Sequence, residues 1–251
     1  MDDKFTDLLS SIYKNHSFVA QSMALGVLEA KLEAKNGFSD EQISAVNNFL
    51  NRFFMARIGI RLLIEQHIFS KEYREGFSGV IQSNCNPYDV ALEASEEATL
   101  LCMNSVGVCP KFVLKTPDRS DTFTYVTSHL KYILLELFKN STRATVNFHG
   151  LDSHLPDIEV AIARGKTDVT IKVSDQGGGI PRHKMPRIWE YCLTSASSSS
   201  IKFRNAQMAL VSGSTTSLAG YGCGLPLSRL YAQYFGGNLG KPFLKNIVVW
   251  T

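Results

Sequence analysis

Hydrophobic residues in the first part of the chain recur with the spacing of α-helices. Between residues 3 and 104, apolar positions return every three or four residues, which predicts helices with one buried face. One helix is predicted across residues 8–27, a second across 49–64, and a third across 90–103, where Asn86 and Pro87 suit its cap and first turn. We expect these helices to pack as a bundle, with a loop at residues 76–84. The apolar face of the second helix comprises Phe49, Leu50, Phe53, Phe54, Ile60, Leu63 and Ile64.

The pattern changes near residue 108 to short runs that alternate or contain β-branched residues, as strands do. Strands are predicted at 111–114, 157–163 and 168–174, and helices at 128–144 and 225–235. This alternation is typical of an α/β sandwich, so the fold class is α+β. We expect a helical domain at residues 1–107 and an α/β domain at residues 108–251. Within the latter, the serine-rich segment 195–219 is longer than an ordinary connection, which is typical of a lid, a binding loop or disorder. Of these we expect a lid.

The composition is that of a folded protein with a small surface charge. The chain has 251 residues, of which 44% are hydrophobic, and a net charge of +3 at pH 7. This charge favours neither nucleic acid nor a membrane surface, and no apolar run approaches the roughly 20 residues of a membrane span. The five cysteines include no C-x-x-C pair, so we expect reduced thiols rather than a zinc site or disulfide framework. The acidic start resembles neither a transit peptide nor a secretory signal, which predicts a cytosolic protein or a chain whose true start is missing.

One predicted helix carries polar residues along a single face. Asn140 lies four residues after Glu136, and Arg143 lies three residues further on. A carboxylate can act as a general base, and hard oxygen ligands suit Mg²⁺, so this face can serve a metal-bound phosphate. The alternative is a solvated polar stripe on an amphipathic helix.

Two glycine-rich segments follow this helix. Asp175 and the glycines at 177–179 come directly after a predicted strand, where glycine permits positive φ and close approach of a ligand. The alternative there is a flexible turn. The second segment, residues 220–225, precedes a helix whose N-terminal N–H groups can bind phosphate. It lacks the Gly-Lys-Ser/Thr of a Walker loop and the preceding strand of a Rossmann fingerprint.

In this order, the three motifs resemble the N, G1 and G2 boxes of the gyrase, Hsp90, histidine-kinase and MutL (GHKL) superfamily. The segment Glu-Leu-Phe-Lys-Asn-Ser-Thr-Arg-Ala-Thr at 136–145 narrows the resemblance to the mitochondrial kinases of 2-oxoacid dehydrogenase complexes. Residues 23–27, 48–67 and 227–237 are similar to the same family. The resemblance implies a helical bundle followed by a Bergerat-type ATP-binding domain.

The resemblance also implies roles for individual residues. Glu136 would be the general base, Asn140 would coordinate Mg²⁺, and Asp175 would bind the adenine amino group of ATP. Gly177 and Gly179 would let the backbone approach the nucleotide. The remaining nucleotide contacts would come from Leu137, Phe138, Lys139, Ser141, Thr142, Arg143, Thr194, Ser195, Gly220, Tyr221, Gly222, Cys223, Gly224 and Leu225. Thr194 and Ser195 match the family's Ser-Thr pair in reversed order.

The activity implied by the resemblance is direct phosphorylation of serine on the E1α subunit of a mitochondrial 2-oxoacid dehydrogenase, which inactivates that complex. Pyruvate dehydrogenase is the main substrate expected, and branched-chain 2-oxoacid dehydrogenase is the alternative. Further implied partners are the lipoyl domain of the E2 core and a second copy of the chain in a homodimer. The implied location is the mitochondrial matrix.

Three departures from the family pattern leave other functions open. Tyr132 stands where pyruvate-specific members carry histidine and branched-chain members carry tyrosine. About the first quarter of the family's helical domain is missing, and residues 238–251 lack the family's Gly-x-Gly-Thr strand entry. We therefore expect a fragment, a splice form or an incomplete gene model, and a non-catalytic nucleotide-binding regulator is a second hypothesis. A two-component histidine kinase or an Hsp90 or MutL relative is a third, against which the similarity of residues 57–61 argues.

Overall fold

A computed structural model of the chain forms two compact units. It describes residues 2–34, 37–151, 153–191, 222–240 and 246–250. The first unit comprises Met1–Phe69 and Pro186–Leu230, and the second comprises Ser70–Met185 and Tyr231–Thr251. Each unit thus combines two stretches of chain. The domain boundary expected between residues 107 and 108 divides the chain differently from these two units, and it stays a prediction.

The first unit is built from helices α1 (Asp2–Asn15), α2 (Val19–Glu33) and α3 (Asp40–Phe69). The helix predicted across residues 8–27 is therefore two helices. Helix α1 packs along α3, where the Arg61 guanidinium lies 3.6 Å from the ring centroid of Tyr13. Burial, together with the neighbouring Glu65 carboxylate, raises the pKa of the Tyr13 hydroxyl to about 12. These contacts join the end of α1 to the C-terminal part of α3.

The buried side of α3 only partly matches the predicted apolar face. The buried positions are Leu50, Phe54, Ile58 and Ile64. Three members of the predicted face, by contrast, are more than half exposed: Phe49, Ile60 and Leu63. The prediction was wrong for these three residues because apolar side chains occur on more than one side of α3, and spacing alone does not select the side that packs.

The second unit begins with a hairpin in place of the predicted loop. Strands β1 (Phe77–Ser78) and β2 (Ile81–Cys85) pair antiparallel, and β2 also pairs with β4 (Phe123–Tyr125). The loop prediction for residues 76–84 was wrong because these short strands are stabilised by pairing with a strand far along the chain. Local sequence does not contain that information.

Two long helices follow in the second unit, α4 (Pro87–Val106) and α5 (Thr127–His149), which pack against each other. The predicted start of α4 is confirmed, since the Asn86 side chain accepts hydrogen bonds from the N–H groups of Tyr88 and Asp89 at 2.9 and 3.4 Å. Gly107 ends α4 with a φ of 80°. No helix in the described part of the chain is both long enough and apolar enough to cross a bilayer.

A five-stranded sheet forms the other layer of the second unit. Its strands are β3 (Phe112–Lys115), β5 (Ile158–Arg164), β6 (Val169–Ser174), β7 (Asn238–Leu239) and β8 (Asn246–Trp250). The order is β3-β5-β6-β8-β7, with β3 and β5 parallel and the other pairs antiparallel. Alternate residues of β5 and β6 are buried, and α5 packs against β6. This architecture confirms the predicted α+β class and the three predicted strands.

The segment that departs from the family pattern also contributes to this sheet. Strand β8 lies between β6 and β7, and its Trp250 pairs in backbone register with Val169. Residues 238–251 therefore supply two strands even though the expected Gly-x-Gly-Thr entry is absent. Backbone pairing tolerates this change because the ladder hydrogen bonds come from main-chain groups.

His129, near the start of α5, is buried among aromatic rings. It is 6% exposed, and its ring centroid lies 4.7 Å from that of Tyr231 and 5.7 Å from that of Phe235. Within the described residues its Nδ1 atom has no hydrogen-bond partner. Burial accordingly lowers the pKa of His129 from 6.5 to about 4. The folded protein therefore holds this ring neutral.

We expect His129 to make stability depend on pH between 6.5 and 4. In this window the unfolded chain binds the proton and the folded chain does not, so acidification favours unfolding. Between pH 7 and 5 the loss of unfolding free energy from this residue should be about 2 kcal/mol. Denaturant unfolding of wild type and His129→Gln at both pH values measures the difference. The idea fails if the variant loses as much stability on acidification as wild type does.

Candidate active site

Helix α5 presents its polar residues in an orientation set by a fully buried apolar side. Ile133, Leu134, Leu137 and Phe138 are all 0% exposed. The Phe138 ring packs against Phe112 of β3, with ring centroids 4.8 Å apart. Leu137 and Phe138, both predicted nucleotide contacts, thus have side chains in the protein core. Their burial fixes the rotation of α5 and hence the direction of its polar residues.

Glu136 is a buried carboxylate with one cationic partner. Its side chain is 5% exposed, and the Lys139 ammonium, whose side chain is 14% exposed, lies 2.5 Å from Oε1. Burial of a carboxylate is costly unless it is paired, so Lys139 offsets much of that cost. The alternative of a solvated polar stripe therefore does not describe Glu136, although Glu136 and Lys139 both lie on the polar side of an amphipathic helix.

Asn140 and Arg143 continue this side of α5 toward solvent. The Arg143 guanidinium donates a hydrogen bond to Oδ1 of Asn140 at 3.2 Å. Asn140 is half-buried and Arg143 is exposed. Solvent exposure along the polar side of α5 thus increases from the buried carboxylate of Glu136 to the exposed guanidinium of Arg143.

Asp175 is oriented by two hydrogen bonds at the end of β6. The buried Ser141 hydroxyl donates to Oδ2 at 3.0 Å, and the Gly177 N–H donates to Oδ1 at 2.9 Å. Thr142, also a predicted contact, is buried and donates to the Lys139 carbonyl oxygen. The structure thus brings Ser141 of the helix motif together with Asp175 and Gly177 of the glycine motif.

The glycines after Asp175 are required by the backbone. A Cβ on Gly177 would lie 2.5 Å from the Ala144 Cβ and 2.8 Å from the Thr145 nitrogen. Gly178 and Gly179 have φ values of 78° and 72°, in the left-handed region that favours glycine. Close approach to α5 and positive φ, rather than general flexibility, therefore account for this motif.

We expect Gly177→Ala to destabilise the protein by about 1–3 kcal/mol, because the added methyl group must displace the α5 backbone. Thermal or denaturant unfolding measures this loss. Gly26→Ala is the matched control, since nothing lies within 4 Å of its Cβ position in α2. There the same substitution should stabilise by up to about 1 kcal/mol through helix propensity. Equal effects of the two substitutions would contradict the close approach.

Thr145 is a buried hydroxyl beside this motif. The residue is 0% exposed, and within the described residues its Oγ1 has no hydrogen-bond partner. It lies one helical turn after Ser141 on α5, so the two hydroxyls share a face. An unsatisfied buried hydroxyl costs free energy that a bound water or ligand atom can recover. The Thr145 hydroxyl, on the α5 face next to Asp175, can therefore form a hydrogen bond with a water or a ligand atom.

The second glycine-rich segment lies partly in the described residues of the first unit. Gly222 has a φ of 71°, and Cys223 is buried at the start of α6 (Gly224–Tyr234). The Cys223 carbonyl oxygen accepts from the Leu227 N–H at 3.0 Å, which begins the helix as predicted. Gly224 and Leu225 form its first turn. Thr194, Ser195, Gly220, Tyr221 and the predicted lid at 195–219 lie outside the described residues.

Tyr191 anchors the chain immediately before the predicted lid. It is 1% exposed in the first unit, and burial raises the pKa of its hydroxyl. The hydroxyl donates to Oδ1 of Asn51 at 2.8 Å, and the backbone N–H donates to Oδ1 of Asn47 at 3.0 Å. The Lys31 ammonium also donates to the Tyr191 carbonyl oxygen at 3.3 Å. Residues of α2 and α3 thus hold this point of the chain.

Two family models match the chain. One, described as mitochondrial branched-chain alpha-ketoacid dehydrogenase kinase, covers residues 1–82. The other, described as histidine kinase-, DNA gyrase B-, and HSP90-like ATPase, covers residues 125–242. The first match includes helices α1 to α3, and the second includes α5, α6 and strands β5, β6 and β7.

Curated relatives match almost the whole chain. The mitochondrial pyruvate dehydrogenase (acetyl-transferring) kinase of Schizosaccharomyces pombe is 41% identical over 243 residues, covering 95% of this chain and 55% of the relative. The corresponding kinase of Arabidopsis thaliana is 40% identical over 242 residues, covering 95% and 64%. Isozyme 3 of Mus musculus is 38% identical over 248 residues, covering 94% and 57%. The chain belongs to the mitochondrial 2-oxoacid dehydrogenase kinase family.

Membership of the family confirms the resemblance drawn from the motifs. The chain spans between about half and two thirds of the length of these kinases, from 55% to 64% in the first two relatives. Tyr132 is half-buried one turn before Glu136, and its ring centroid lies 4.8 Å from that of Tyr231. The family match also disfavours a two-component histidine kinase and an Hsp90 or MutL relative.

Sequence reasoning missed three features of this site. It placed Lys139 and Ser141 in the nucleotide-binding helix without seeing that they pair with Glu136 and Asp175, respectively. The three-residue step from Glu136 to Lys139 was a usable signal for the first pair. No sequence signal pointed to Thr145, because only burial distinguishes its hydroxyl from that of any other threonine.

Proposed function

We propose that this chain is an ATP-dependent protein serine kinase that phosphorylates, and so inactivates, the E1α subunit of a mitochondrial pyruvate dehydrogenase complex. The observation that carries the proposal is the arrangement on α5, where a buried Glu136 paired with Lys139 precedes the Ser141 hydroxyl that orients Asp175. The named relatives are pyruvate dehydrogenase kinases, which supports the same activity.

Glu136 is the proposed general base. Lys139 contacts its Oε1 atom, so we assign Oε2 as the oxygen that takes the proton from the substrate serine. Low exposure keeps competing water away from the carboxylate, and the ion pair holds it in one orientation. Transfer then relies on positioning of the serine and the terminal phosphate of ATP.

Asn140 is the proposed ligand for Mg²⁺. Its Oδ1 accepts one hydrogen bond from Arg143 and has a second lone pair for a cation. No group of three or more His, Cys, Asp or Glu side chains in the described residues could hold a metal. Phosphate and water oxygens would therefore supply the other ligands, as Mg²⁺ commonly requires.

Asp175 is the proposed acceptor for the adenine amino group. Its two oxygens are held by Ser141 and Gly177, and each retains a further lone pair. The Thr145 hydroxyl supplies a further partner for a water or nucleotide atom at the same face of α5. The proposed phosphate contacts are Gly220, Tyr221, Gly222, Cys223, Gly224 and Leu225, with Thr194 and Ser195 contacting the nucleotide.

A branched-chain 2-oxoacid dehydrogenase is the second candidate substrate. Tyr132 is the residue that branched-chain members carry one turn before the base, and the model matching residues 1–82 bears that kinase's description. The relatives named for pyruvate dehydrogenase favour the first candidate because they match 95% of the chain.

The remaining proposals concern assembly and location. The relatives are named as mitochondrial, so we place this chain in the mitochondrion and specifically in the matrix. The lipoyl domain of the E2 core is the proposed docking partner, and a homodimer is the proposed assembly. Residues 1–107 would form the regulatory helical domain and residues 108–251 the ATP-binding domain, with 195–219 as its lid.

Incubation with labelled ATP and either purified E1 tests these proposals. With Mg²⁺, we expect label on serine of pyruvate dehydrogenase E1α, less label on branched-chain E1α, and none when Mg²⁺ is omitted. Preferred labelling of the branched-chain subunit would replace the first candidate with the second. ATP binding without transfer to either subunit would refute the kinase proposal in favour of a non-catalytic regulator.

A further inference from the structure

Cys102 and Cys109 lie close together near the end of α4 and the start of β3. Cys102 is in the last turns of α4, the chain reverses at Gly107, and Cys109 follows before β3 begins. Both side chains are half-buried, so a small oxidant can reach them. Neither residue takes part in the proposed phosphoryl transfer.

Backbone geometry brings Cys102 close to Cys109. The Cys102 thiol donates to the carbonyl oxygen of Val108 at 3.2 Å. That carbonyl group forms the peptide bond to Cys109, and its oxygen lies about 2.8 Å from the following Cα in a trans peptide. Cys102 Sγ is therefore at most roughly 6 Å from the Cys109 Cα, so the two side chains are neighbours, and closing an S–S bond of about 2.05 Å requires them to turn toward each other.

The Cys109 side chain points toward the same part of α4. Its thiol donates to the carbonyl oxygen of Pro110 at 3.4 Å, and the side chains of Cys102 and Thr99 are near enough to contribute to the shift of its pKa. These two residues are three positions apart, so they are neighbours on one face of the helix. The Cys109 sulfur thus lies over the helix face that carries the Cys102 sulfur.

We propose that Cys102 and Cys109 form an intramolecular disulfide when the protein is exposed to hydrogen peroxide. The Cys102 thiolate attacks one peroxide oxygen, the O–O bond breaks, and the leaving hydroxide takes a proton to become water. The Cys109 sulfur then attacks the resulting sulfenic acid, the S–S bond forms and the S–O bond breaks. The Cys109 proton leaves with the oxygen as a second water. In total, the two thiols lose two electrons and one peroxide is reduced to two waters.

The environment of Cys109 leaves the first attack on peroxide to Cys102. Burial, with a further contribution from the Cys102 sulfur, raises the pKa of the Cys109 thiol to about 12. Cys109 therefore keeps its proton near pH 7 and must give it up to the departing oxygen as its sulfur attacks the sulfenic acid, so we expect this second step to limit the rate. Since the thiolate is the attacking species, disulfide formation is expected to accelerate as pH rises.

Two other cysteines in the described residues are less accessible. Cys85 is 0% exposed and Cys223 is 1% exposed. Burial also raises the pKa of the Cys85 thiol. We therefore expect peroxide to act on the Cys102–Cys109 pair before it acts on Cys85 or Cys223.

Peptide mapping of the full chain tests the proposal. After peroxide treatment, the protein is unfolded, alkylated with N-ethylmaleimide and digested with trypsin. Residues 75–111 form one tryptic peptide that contains Cys85, Cys102 and Cys109. We expect this peptide to lose two hydrogens and carry one alkyl group after oxidation, but three alkyl groups without oxidation or after dithiothreitol. Sulfoxide at the exposed Met103 adds oxygen and is distinguished by mass.

Cys102→Ser and Cys109→Ser are matched controls. Cys102→Ser should keep Cys109 available for alkylation, whereas Cys109→Ser should leave Cys102 as a sulfenic acid or a higher oxide, which adds oxygen to the peptide. The disulfide should also raise the melting temperature of wild type by about 5–10 °C, because it closes a loop in the unfolded chain and so lowers the entropy of that state. Full alkylation of both cysteines after peroxide would overturn the proposal. So would a bond between Cys109 and another chain, or a disulfide that lowers the melting temperature.

Discussion

Glu136→Gln is expected to slow serine phosphorylation by about 10²- to 10⁴-fold while largely sparing ATP binding. Glutamine keeps the shape of the side chain and can still accept a hydrogen bond from Lys139, but it cannot take the serine proton at neutral pH. Because a general base acts on the acceptor hydroxyl, nucleotide affinity should change little. Initial rates of phosphate transfer to E1α, with ATP affinity from calorimetry, measure the two quantities separately.

Two further measurements make this result specific to the base. Glu93→Gln is the matched control, since Glu93 lies on α4, is 63% exposed and pairs with Lys131. We expect its transfer rate to equal that of wild type. The melting temperature of Glu136→Gln should also be recorded, because the substitution replaces a buried ion pair with a neutral contact. A folded Glu136→Gln protein that transfers phosphate at the wild-type rate would remove Glu136 from the mechanism.

Asp175→Ala is expected to weaken ATP binding by about 10- to 150-fold, the range of a hydrogen bond to a charged group. It should also abolish the preference for ATP over GTP. Adenine offers an amino group where guanine offers a carbonyl oxygen, so a carboxylate accepts from the first and repels the second. Alanine removes both the attraction and the repulsion. Competition between ATP and GTP in a direct binding assay measures both effects.

Two other substitutions serve as comparisons for the size of the Asp175→Ala effect. Ser141→Ala removes one of the two hydrogen bonds that orient Asp175, so its effect should be in the same direction but only about 2- to 13-fold. Asp157→Ala, at an exposed position before β5, should leave both affinities unchanged. If Asp175→Ala keeps the wild-type preference for ATP, the adenine-binding role is incorrect, whatever its effect on stability.

Prediction from the sequence worked best where local spacing and local chemistry decide the outcome. Asn86 and Pro87 specified the start of α4, because the cap involves only neighbouring N–H groups. Buried residues alternate with exposed ones in β5 and with half-buried ones in β6, and the sequence also displays this alternation. By contrast, the hairpin of β1 and β2 was missed because its stability depends on β4, and the exposed side of α3 was missed because apolar residues occur around that helix.

The candidate site divides in the same way. The spacing of Glu136, Asn140 and Arg143 placed them on one side of α5, and the three glycines after Asp175 predicted an unusual backbone. Spacing could not reveal that Glu136 is buried against Lys139, or that Gly177 must be glycine because it touches the backbone of α5. Those facts depend on how α5 packs against β6.

The sequence by itself determined the order of the motifs, and that order indicated the family. Each motif is a local pattern, so its chemistry can be inferred from the residue types and their spacing alone. The sequence also determined the helical and alternating segments that build the two layers of the second unit. Only the tertiary structure decided which charges are paired, which hydroxyl orients Asp175, and that Cys102 and Cys109 are neighbours. Pairing and burial depend on distances between segments that are far apart in the chain or that reverse at a turn, and these distances are set by packing of the whole unit.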